Sequence, residues 1–77
     1  MLEVGHEFRR HGIKFCVIDF LKYNDKTYCL LSVEKPNEKM SFSFYDYKIN
    51  LKGTYELNEV EDKQLIATLF ELFEERK

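Results

Sequence analysis

The chain reads as a small α+β domain, a curled antiparallel β-meander of four to five strands with one C-terminal helix packed on one face. Three observations predict it. Short runs of alternating apolar and polar residues fill the first sixty positions, with turn-forming residues between them. Leu65, Ile66, Leu69, Phe70, Leu72 and Phe73 then recur at spacings of three and four, the stripe of an amphipathic helix. A length of 77 residues with 44% hydrophobic side chains suffices for a single core. The expectation is one domain over residues 1–77, with strands within 3–57 and the helix at about 60–76.

The elements follow in order. His11-Gly12 sits between Glu7-Phe8-Arg9-Arg10 and Ile13-Lys14-Phe15, and a glycine in second place suits a tight hairpin turn. A second strand then runs from Ile13 to Tyr23. Asn24-Asp25 closes the next hairpin, because both residue types tolerate the left-handed conformation. The third strand is expected over residues 27–33 and the fourth over 40–47, joined by a turn around Pro36-Asn37. A loop at 50–53 leads to a short fifth strand at 54–57. For the helix, Asn58 with Glu61 has capping-box spacing, and Asp62 is the other candidate N-cap. Glu61 and Asp62 suit its first turn, and Arg76 and Lys77 its end.

Turn lengths predict a register. A two-residue Asn24-Asp25 loop sets Cys16 against Val33, Ile18 against Leu31 and Phe20 against Cys29. A six-residue loop at 34–39 sets Val33 against Met40, Leu31 against Phe42 and Cys29 against Phe44. Alternation places these nine side chains on one face. The helix is expected to cover that face. The opposite face then carries Phe15, Val17, Asp19, Leu21, Tyr23, Tyr28, Leu30, Ser32, Ser41, Ser43, Tyr45 and Tyr47. One helix cannot cover both faces, so either the sheet curls on itself or an aromatic surface is open.

Composition narrows the function. No uninterrupted apolar run exceeds four residues, against the roughly 20 needed by a transmembrane helix. The amino terminus lacks the basic and apolar pattern of a secretory signal. Together with two cysteines, this predicts a cytoplasmic protein with free thiols and no membrane partner. Net charge is −2, divided as +2 over residues 1–53 (nine basic, seven acidic) and −4 over 54–77 (three basic, seven acidic). That balance gives no strong attraction to nucleic acid.

Phe-x-Val-x-Asp at 15–19, Tyr-Asn-Asp-Lys-Thr-Tyr at 23–28 and Tyr-Glu-Leu-Asn-Glu-Val-Glu-Asp at 55–62, followed by an acidic Leu/Phe helix, form an ordered pattern over residues 13–75. This order resembles the YrzB-like bacterial domain of unknown function. Lys35, Lys39, Lys48 and Lys52 depart from the more acidic loops of that pattern, and the leading Gly-x-x-Phe hairpin is extra. The resemblance implies a cytosolic, β-rich domain with a terminal helix and carries over no catalytic or binding residue.

No side-chain constellation points to catalysis. His6, His11, Cys16 and Cys29 have the wrong spacing for common zinc frames, which pair ligands two to four residues apart, so no metal and no cofactor are expected. Asp19 stands mid-strand. Read functionally, it is an acid or base on the open face; read structurally, it discourages edge pairing or marks a bulge. No nucleophile is placed beside a base, and no glycine-rich phosphate loop exists, so an enzyme is not expected. The expected role is a small protein-interaction or regulatory module, and the candidate binding residues are Tyr23, Tyr28, Tyr45 and Tyr47, read as one partly exposed patch for an unknown protein partner or for self-association. The alternative is single-stranded nucleic acid stacked on the same rings, with Arg9, Arg10, Lys14, Lys22, Lys26 and Lys48 near the phosphates. The net negative charge argues against that alternative.

Overall fold

Four non-glycine residues, His11, Asn24, Asp25 and Asn37, take positive φ, and the chain reverses at each of these places. In the computed structural model, which describes residues 2–76, His11-Gly12 and Asn24-Asp25 are two-residue hairpin loops with both central residues left-handed (φ 52 and 77, 50 and 62). They join β1 (Glu7–Arg10), β2 (Ile13–Tyr23) and β3 (Lys26–Glu34). A longer loop leads to β4 (Ser41–Ile49), and β5 (Tyr55–Glu59) follows. The loop between β4 and β5 is organised by Asn50, whose Oδ1 accepts from the Lys52 and Thr54 amides at 3.0 and 3.1 Å. The five strands form one antiparallel sheet in sequence order, β1-β2-β3-β4-β5, as the meander reading expects.

α1 (Lys63–Glu75) starts at Asp62, whose carboxylate accepts from the Gln64 and Leu65 amides at 2.9 and 3.3 Å. Asp62 rather than Asn58 is therefore the N-cap, and Asn58 belongs to β5. The helix is shorter at its start than 60–76. Glu61 and Asp62 precede its first turn, which holds no acidic residue. Arg76 is its C-cap, and Lys77 lies outside the described residues.

The register differs from the expectation in two places. Phe20 pairs with Cys29 as expected, but the ladder shifts between Val17 and Asp19, so Val17 rather than Ile18 meets Leu31. This is a β-bulge at Ile18, and Asp19 stands beside it. Between β3 and β4 the pairing is slipped by one, with Leu30 against Phe44, Leu31 against Ser43 and Ser32 against Phe42.

A one-residue slip exchanges faces, and the core follows. α1 does not cover Cys29, Leu31 and Val33. It packs Leu69 on Leu21, Tyr28, Leu30 and Phe44, with Ile18, Tyr23, Val60, Leu65, Phe70, Leu72 and Phe73 around them. Phe44 and Phe70 meet edge to face at 4.7 Å. The nine-residue face is thus divided. Cys29, Leu31, Val33 and Phe44 are buried, whereas Met40 and Phe42 are half exposed (51% and 49%).

Candidate functional site, the concave aromatic face

The other face has no helix and closes by curvature. Its floor is Val17, Cys29 and Leu31, all buried, with Leu2 laid on them. Leu2 arrives through a short segment fixed to β2, where the Gly5 amide donates to the Val17 carbonyl at 2.8 Å and the Val17 amide to the His6 carbonyl at 2.9 Å. Six rings stand around the floor: Phe8, Phe15, Phe20, Tyr45, Tyr47 and Tyr55. Phe15 on β2 meets Tyr45 on β4 edge-on at 6.3 Å, and Phe20 meets Tyr47 at 5.4 Å. Both contacts span the intervening β3. A flat sheet would hold the rings of β2 and β4 apart, so the reach across β3 records the curl. At the rim, the Arg10 guanidinium lies over the rings of Phe8 on β1 (5.4 Å) and Tyr55 on β5 (5.7 Å). The two edges of this half-barrel therefore meet through a side chain and not through a ladder.

The four tyrosines expected on one patch do not share a face. Tyr28 pairs with Asp46, and Tyr45 with Cys29. Tyr23 and Tyr28 belong to the layer under α1, and Tyr28 is buried. Tyr45 and Tyr47 belong to the concave face and are half-buried. The environments differ accordingly. Burial pushes the Tyr28 phenol up, with the Asp46 carboxylate as a second cause and Tyr23 as a third. Burial also raises Tyr45, with Glu59 directly across the ladder as the second cause. The Tyr47 hydroxyl is buried and, among the described residues, has no hydrogen-bond partner.

Sequence reasoning missed the concave rings Phe8, Phe20 and Tyr55, and it missed Leu2. Alternation alone puts Phe20 on the helix-covered face, and an isolated Leu2 carries no local signal of burial. The Asp19 position was the available clue, since a mid-strand Asp at a bulge warns that alternation fails there.

The cysteines fall on opposite faces. Cys29 forms part of the concave floor, and its thiol is pushed from 9.0 up to about 12 by burial, with Asp19 as a lesser cause. Cys16 pairs with Ser32 and projects to the other side, half-buried. Opposite projection rules out a bridge between them. His11 is exposed in the first hairpin turn, and His6 stacks against Phe8 at 6.1 Å. Among the described residues, no three His, Cys, Asp or Glu side chains gather as a metal site. Nor is any described helix long and apolar enough to cross a membrane.

No family model, curated protein or solved structure matches the chain. The likeness to the YrzB-like domain thus rests on hairpin and helix pattern alone.

Proposed function

We propose that the chain is a non-catalytic, cytoplasmic protein-interaction module whose contact surface is the concave face, centred on Tyr45 and Tyr47. One observation carries the reading. The floor of that face is fully buried, the rings above it are only partly buried, and no helix lies over them among the described residues. Tyrosine favours such surfaces because it offers large, rigid contact area with a polar tip. Glu59 facing Tyr45 weighs against a nucleic-acid backbone on this face, because a carboxylate repels phosphate.

The test pairs two variants in a pull-down from native extract. Tyr45→Ser with Tyr47→Ser should lose the captured partner while the thermal transition persists. Tyr23→Ser, on the helix side, should keep it. Loss in both variants, or in neither, removes the concave face from the proposal. Capture of nucleic acid with a steep salt dependence would transfer the site to the alternative ligand.

A further inference from the structure

β2 is longer than the strand that flanks it. β1 pairs with it only from Ile13 to Cys16, and the Gly5–His6 segment extends the cover to Val17. From residue 18 to residue 23, among the described residues, no strand lies on that side of β2. A bare strand edge is a template for another strand. At Phe20 the edge is occupied by side chains. The Phe20 amide donates to Asp19 Oδ1 at 2.8 Å, and the Phe20 carbonyl accepts from Arg76 Nη1 at 2.6 Å. Arg76 Nη1 also lies 3.4 Å from Asp19 Oδ2. An acceptor and a donor, joined as an ion pair, thus present to Phe20 what the backbone of a neighbouring strand would present. The cation comes from the end of α1, so the clasp exists only when the helix is docked. Beside it runs a groove of about 540 Å³ lined by Phe20, Leu21, Lys22, Leu72, Glu75 and Arg76.

The strand repeat is two residues, so the amide and carbonyl of Lys22 face the same way as those of Phe20. Two copies of this segment laid antiparallel about Leu21 place Phe20 of each against Lys22 of the other, and each pair can exchange its N–H and C=O groups. The contact is self-complementary, as a two-fold dimer requires. We propose that residues 18–23 of β2 form a latent docking edge for the same segment of a second copy, held closed by the Asp19–Arg76 clasp. This edge shares the Phe20 position with the concave face but uses its backbone rather than its ring, and its test is independent of that face.

The test is sedimentation over a concentration series. Arg76 is half exposed, so Arg76→Ala leaves the core intact. Asp19→Asn keeps an acceptor for the Phe20 amide while removing the charge that holds Arg76. The unaltered chain is expected to sediment as one chain. Both variants should shift toward a two-chain species, with a dimer dissociation constant at least about tenfold lower. Lys22→Pro added to Arg76→Ala removes an edge donor and should restore the single chain. Slower amide exchange at Lys22 in the dimer gives a second readout, and thermal melts confirm that each variant folds. The proposal is overturned if both variants stay single, if their dimer survives Lys22→Pro, or if the unaltered chain already pairs as tightly.

Discussion

The two faces of one sheet bury their apolar residues by different means. The helix side uses a separate layer. Leu69 reaches full burial against Leu30 and Phe44, and the ring of Phe70 closes on Phe44. The concave side uses the sheet's own curvature, so that rings from β2 and β4 lean over β3 around a floor that includes Leu2. Each means seals a centre and leaves a partly buried margin around it, and on the helix side Phe42 stays exposed at the edge of that margin. Stability therefore concentrates in two buried centres, Leu30, Phe44 and Leu69 on the helix side and Val17, Cys29 and Leu31 on the concave side.

The largest expected effect tests the sealed parts. Phe44→Ala should cost about 3–5 kcal/mol and Leu31→Ala about 2–5 kcal/mol, because each empties a fully buried site. Urea unfolding reads both. If Leu31→Ala left the midpoint unchanged, the concave floor would not be a core, and the comparison would break on that side.

Next comes alkaline pH. Cys29 is raised from 9.0 to about 12, so the folded protein holds a proton that the unfolded chain releases. Stability is then complete below pH 9 and falls as pH rises toward 12, at up to about 1.4 kcal/mol per unit. Urea midpoints at pH 8, 10 and 11 measure the slope, and Cys29→Ala should remove its thiol part. Tyr28 and Tyr45, also raised, add to the loss at the upper end. At neutral pH a thiol reagent should modify half-buried Cys16 well before Cys29 in the folded protein.

Asp62→Ala removes the helix N-cap and should cost about 1 kcal/mol, a smaller lowering of the thermal midpoint than either core truncation. The smallest effect has the opposite sign. Tyr47→Phe deletes a buried hydroxyl without a partner, and stability should hold or rise by about 1 kcal/mol. A loss of stability in that variant would mean that the hydroxyl is satisfied in solution, and the rim would then resemble the helix side more than it does here.

Local chemistry determined much of this protein from the sequence alone. Left-handed turn residues at 11–12 and 24–25 set two hairpins, alternation set the strands, and the three-four spacing of Leu and Phe after residue 64 set the helix. Each of these signals lies within one or two turns of chain. The choice of face lies outside that range. β3 reads Tyr28-Cys29-Leu30-Leu31, apolar on both sides, so alternation cannot say which side the helix takes. A single extra residue at Ile18 and a slip of one between β3 and β4 then decide where every later ring points. Those shifts are fixed by contacts distant in sequence: Leu69 against Leu30, Phe15 against Tyr45, and Arg76 against Asp19. Only the tertiary structure could separate Tyr45 and Tyr47 from Tyr23 and Tyr28, because side-chain direction in a sheet depends on register, and register here is set by packing on two faces at once.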